Sequence, residues 1–122
     1  MHLFVHVNYT YILMCAAALK YNFSIGSLNA RGLGQNEKRE DVFSWLKNKK
    51  LSIYCITDFH CRNALCNQYI KEWGSNIVIC EGTSDSRGVA ILFSKDLDYE
   101  LFGTQIDCDG NYVIIDVKVY DC

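Results

Sequence analysis

Proline is absent from the chain, and with it any Pro-rich linker that would separate two modules. No internal repeat or low-complexity stretch takes its place, so 122 residues read as one domain, or part of one. An excess of charge of one sign is lacking too. Twelve Lys and Arg against fourteen Asp and Glu leave a formal charge of -2, which excludes a global attraction for nucleic acid. Only local patches such as Lys47, Lys49 and Lys50 could meet phosphate, and at the end of a helical pattern their simpler reading is a solvated basic turn. No apolar run is long and uninterrupted enough to span a bilayer.

Cysteine is plentiful, but its paired spacings are missing. The seven cysteines include no C-x-x-C, and their number is odd, which argues for reduced thiols in an intracellular compartment, nuclear or cytoplasmic, and against a zinc site. Cys55 and Cys80 lie inside apolar runs, where cysteine acts as a small buried hydrophobe. Residues 1–22 are set apart as an apolar N-terminal extension of unclear role. Their run from Tyr11 to Leu19, with three successive alanines, resembles the middle of a signal peptide, but Lys20 follows the run where a signal would carry its charge in front. Secretion is the minority alternative.

From residue 23 onward the chain reads as alternating elements. Phe23 to Leu28 is a short buried strand, and Glu37 to Lys50 a helix with acidic residues at its start, basic residues at its end, and an apolar stripe of Val42, Trp45 and Leu46. Leu51 to Thr57 is a second strand. A helix over Arg62 to Trp73 is ended by Gly74, Asn76 to Cys80 returns to the sheet, and Gly88 to Ser94 is a continuous apolar strand. The segments YELFGTQI and NYVIIDVKVY flank an Asp-Gly pair and form a hairpin. The order βαβ(α)ββββ points to an α/β protein with a mixed sheet: the crossover helix favours a parallel pair, and hairpins are antiparallel.

The first two of these strands present Asn29 and Asp58 at their C-terminal ends. If the strands are parallel, both residues face one crevice. A carboxylate beside a neutral amide suits a Mg²⁺ site that handles phosphate, although caps of two turns would use the same residue types.

The segments SLNARGLGQNEKREDVFSWLKNKKLSIYCITDFH and EWGSNIVICEGTSDSRGVAILFSKDL together resemble the endonuclease/exonuclease/phosphatase superfamily, most closely the apurinic-type endonuclease domain of LINE-like retrotransposons. An S-x-N-x-x-G-L motif is matched by Ser27, Asn29, Gly32 and Leu33. Thr57, Asp58, Phe59 and His60 fall on a Q-E-T-H motif, and Ser86 to Leu92 on an S-R-G-V-A-I-L strand. The resemblance covers about residues 23 to 119 and marks residues 23–122 as the N-terminal half of such a domain. It implies a deoxyribonuclease-like, truncated fold: a partial two-sheet β-sandwich flanked by helices. It further implies Asn29 as a catalytic residue, Asp58 as the ligand of Mg²⁺, His60, Ser86 and Arg87 at the site edge, and DNA as partner.

Asp58 stands where the family has Glu, and the family's later Asp-x-Asn and Asp-His motifs have no counterpart. The chain is therefore expected to be an inactive phosphodiesterase remnant of retroelement origin, or else a non-catalytic binding module. With half a sandwich, the inner faces of GVAILFS and YVIIDV are expected to lack cover, giving poor stability and self-association.

Overall fold

Two apolar runs, Ile53–Thr57 and Val89–Phe93, are strands with almost no wet surface on either face, and the rest of the fold supplies their covers. The computed structural model describes residues 2–8, 12–16, 23–61, 65–81, 87–107 and 110–120. Within them the order is β1 (His2–Asn8), β2 (Ile12–Ala16), β3 (Ile25–Asn29), α1 (Asn36–Lys49), β4 (Ile53–Thr57), α2 (Cys66–Trp73), β5 (Ile77–Cys80), β6 (Val89–Phe93), β7 (Tyr99–Ile106) and β8 (Tyr112–Val119). The protein is mixed α/β, mostly sheet.

The strands form two four-stranded sheets, β2-β1-β8-β7 and β3-β4-β6-β5. As the crossover helix requires, β3 and β4 are parallel, with Asn29 opposite Thr57. The strands β4, β6 and β5 pair antiparallel, and β7 and β8 form the expected hairpin. That hairpin belongs to a second sheet, as a two-sheet arrangement requires, whereas the order of elements alone pointed to one mixed sheet.

Alternation of side chains sorts the core into two layers. Ile53, Cys55, Val89, Ile91 and Phe93 meet Leu3, Val5 and Val7 of β1 and Val113, Ile115 and Val117 of β8 between the sheets. On the opposite face Tyr54, Ile56, Ala90 and Leu92 lie under the helices with Phe43, Leu46, Tyr69 and Trp73. The Trp73 ring meets Phe43 and Tyr54 edge-on at 5.4 and 5.3 Å, and its indole N–H donates to the Phe93 carbonyl at 2.9 Å.

Two expectations are corrected here. The inner faces of GVAILFS and YVIIDV are covered: all five β6 side chains are buried, and so are Val113, Ile115 and Val117. The two sheets cover each other, and the N-terminal stretch that had no assigned role completes the cover: β1 adds Leu3, Val5 and Val7 to the inner face, pairing antiparallel with β8 along its whole length, from His2 opposite Lys118 to Asn8 opposite Tyr112. The second correction concerns α1, which buries Arg39, Phe43 and Leu46. Val42 packs half-buried at the margin, and Trp45 is 49% exposed with Lys49 Nζ 4.8 Å from its ring centre. The buried stripe is rotated by the demands of Arg39, a polar residue that apolar periodicity cannot see.

Arg39 is the one buried charged side chain among the described residues. Its guanidinium pairs with both carboxylate oxygens of Glu72, donates to the Leu33 carbonyl and to Asn36 Oδ1, and lies 4.1 Å from the Tyr69 ring centre. It thereby ties α1 to α2 and to the loop that leaves β3. The bond from Arg39 holds the Glu72 carboxyl below its ordinary value of 4.5. A carboxyl depressed on folding contributes stability that is complete above its unfolded value and lost as pH falls through the folded one. Urea unfolding should therefore show stability falling below about pH 4.5, and Glu72→Gln should flatten that slope. Because Glu72 is 35% exposed, the difference at neutral pH should be about 1 kcal/mol or less.

Candidate functional site

The C-terminal ends of β3 and β4 form one edge of their sheet, and four chain segments interlock there. Past the strands, Ala30 N–H donates to the Thr57 carbonyl at 2.9 Å, Gly32 N–H to Asp58 at 2.7 Å and Leu33 N–H to Phe59 at 3.2 Å. Phe59 and His60 in turn donate to the carbonyls of Gly88 and Arg87, and Gly88 to that of Gly110. These bonds hold the backbone in a conformation that side chains disfavour. Arg31, Asp58, His60 and Arg87 all have φ between 52 and 67°. Each such non-glycine residue costs on the order of 1–2 kcal/mol, and strain of this kind collects at functional sites.

The consequence is a specific side-chain geometry. Successive left-handed turns at Asp58 and His60 fold the two side chains together, with His60 Nε2 3.0 Å from Asp58 Oδ1. Both are part-exposed, at 25% for His60 and 32% for Asp58. The other face of the imidazole rests on Gly32, where an added Cβ would lie 2.5 Å from His60 Nδ1. Gly32 itself has φ +88°, so glycine is required here both for its backbone and for the room it leaves.

Asn29 ends β3 one residue-pair away from Asp58 and is exposed; its Oδ1 accepts the Arg31 N–H at 3.2 Å. Asn29 and Asp58 thus stand at the same edge on adjacent parallel strands, as their positions predict. Arg31 and Arg87 are exposed on its rim. Lys38 Nζ donates to the Arg31 carbonyl at 3.1 Å, and Arg87 reaches Asn111 Oδ1 at 3.3 Å. Ser86 lies outside the described residues.

Arg31 and Asn111 were not expected at the site. Arg31 could have been suspected from its place inside the S-x-N-x-x-G-L stretch, but Asn111 comes from the distant β7–β8 turn and carries no local signal. The Lys47 and Lys50 patch is elsewhere, lining a pocket of about 750 Å³ with Lys95, Tyr54 and Trp73.

Whether the residues fit Mg²⁺ depends on oxygen donors. Among the described residues no three His, Cys, Asp or Glu side chains gather into a cage. Mg²⁺ nevertheless often takes only one or two protein carboxylates, with water and substrate phosphate completing its shell. No hydrogen bond of the described residues engages Asp58 Oδ2, and the Asn29 amide oxygen keeps a second lone pair. These two oxygens are donors of the kind such an ion uses.

Compared with models of known protein families, the chain matches none. No helix of the described residues is long and apolar enough to cross a membrane.

The Gly32 contact makes the pair testable. Gly32→Ala should displace the His60 ring, break its contact with Asp58 and cost roughly 1–3 kcal/mol through the unfavourable φ. Urea unfolding with NMR of the His60 ring protons checks both effects, and unchanged ring shifts would mean that Gly32 does not seat the imidazole.

Proposed function

We propose that this chain is a phosphodiesterase-like domain of the endonuclease/exonuclease/phosphatase type, of retroelement descent, which keeps a phosphate-directed edge but does not cut DNA. The observation that carries this reading is the placement of Asn29 and Asp58 at the ends of adjacent parallel strands, with His60 held against Asp58. Arg31 and Arg87 supply the positive rim that would draw in a phosphodiester. Asp58 Oδ2 and the Asn29 amide would hold Mg²⁺, whose chemistry when bound is to polarise a phosphoryl oxygen.

Hydrolysis also needs a base within hydrogen-bond reach of a water. His60 is poorly suited to that role, since Nε2 faces Asp58 and Nδ1 faces Gly32. A carboxylate one methylene shorter than the family's Glu also draws the metal back from the substrate, and a misplacement of about 1 Å can cost on the order of a hundredfold in rate.

A second reading, a non-catalytic binding module, draws on β7. This strand is an edge of its sheet and exposes Leu101, Phe102 and Ile106, the kind of edge that pairs with another strand. The occupant under that reading is a second strand, from another copy or from a partner.

The test uses the full chain. Mg²⁺ titrated to about 10 mM, a range suited to a site with a single carboxylate, should shift the NMR signals of Asn29, Asp58 and His60. Asp58→Ala should abolish those shifts. Supercoiled and abasic DNA should remain intact with Mg²⁺ as with EDTA. Metal-dependent nicking that Asp58→Ala removes would show an active enzyme, and shifts confined to β7 on dilution would favour the binding module.

A further inference from the structure

Cys61 directly follows His60, and Cys66 opens α2. Their sulfurs are 2.9 Å apart, whereas a disulfide holds them at about 2.05 Å, so closure needs a movement of less than about an ångström. The two thiols sit on supports that keep them together. The backbone leading to Cys61 is bonded to Leu33, Gly88 and Arg87 through Phe59 and His60. Cys66 stands in the first turn of a helix anchored by Tyr69 and Trp73 in the core. Cys55 and Cys80 are different: both are buried between the sheets, and Cys80 Sγ donates to the Asp107 carbonyl at 2.9 Å.

We propose that Cys61 and Cys66 form a redox site that closes to an intramolecular disulfide by exchange with a small disulfide of the glutathione class. Cys66 is half-buried while Cys61 is 1% exposed, so exchange enters at Cys66. Its thiolate attacks one sulfur of the small disulfide, forming a mixed disulfide and releasing one thiolate. Cys61, after losing its proton to solvent, then attacks Cys66 Sγ and releases the second thiolate. The protein loses two protons and two electrons, and one small disulfide becomes two thiols. The bond tethers the turn that carries Asp58 and His60 to the start of α2. This inference does not rest on the phosphodiesterase reading, because thiol mapping is independent of metal and DNA.

Burial pushes the pKa of both thiols up, and Glu81 Oε1 lies 3.7 Å from Cys66 Sγ, where it accepts the thiol proton's hydrogen bond. The reaction is thus slow at neutral pH and base-accelerated. The experiment incubates the full chain with oxidised glutathione at pH 7, 8 and 9, quenches with acid, alkylates, digests and maps masses. The expected product is a Cys61–Cys66 link, read as a loss of two hydrogens and of two alkylation sites, at a rate rising roughly tenfold per pH unit. Cys55 and Cys80 should stay out of any link. Cys61→Ser should stop at a glutathione adduct on Cys66, and Cys66→Ser should leave Cys61 unmodified. Cys61 and Cys66 remaining fully alkylatable at every pH, or Cys66 linking to another cysteine of the wild-type chain, would overturn the proposal.

Discussion

Strand β6 has no face that can be left to water, and the architecture follows from covering it. Val89, Ile91 and Phe93 point one way, Ala90 and Leu92 the other, and all are buried. Burying a large aliphatic or aromatic side chain is worth about 1.5–3 kcal/mol. Leaving either set exposed would therefore consume much of a typical net stability of about 5–15 kcal/mol. The helices answer one face through Phe43, Leu46, Tyr69 and Trp73, and the second sheet answers the other through β1 and β8. The central strand in turn fixes β4 beside it, and β4 delivers Asp58 and His60 to the edge.

That dependence explains why strain can persist at the candidate site. Left-handed residues at Arg31, Asp58, His60 and Arg87 would relax in an isolated loop. Here each lies within three residues of a strand end and is cross-bonded to a neighbouring segment, Arg31 through Lys38 Nζ, so the surroundings determine a conformation that local preference opposes. Arg39 works from below the loop. By taking the Leu33 carbonyl and Glu72 together it fixes where the chain goes after Gly32, and hence where the imidazole can rest.

Much of this was legible in the residues themselves. The apolar runs, the Asp-Gly hairpin and the charge gradient of α1 located β3 to β8 and both helices, because each signal is local. The placement of Asn29 and Asp58 on one edge followed from a strand, a crossover helix and a strand. What escaped is not written in the order of polar and apolar residues. The N-terminal stretch looked like an unassigned apolar extension because its partner, β8, lies about as far away in the chain as a partner can. Trp45 looked like core because Phe43 and Trp45 fit an apolar stripe equally well until Arg39 chooses the face. The Asp58 and His60 contact depends on two left-handed residues, which no pattern of polar and apolar letters encodes.

The central claim is that β1 is an integral wall of the core. Native-state hydrogen exchange measures this most directly, because amides released only by global unfolding share one opening free energy. The account predicts that the amides of Leu3, Val5 and Val7 in β1 exchange with the same free energy as those of Ala90 and Ile91 in β6. Rapid exchange throughout β1, with β4 and β6 still protected, would contradict it and show that the sandwich stands without its N-terminal strand.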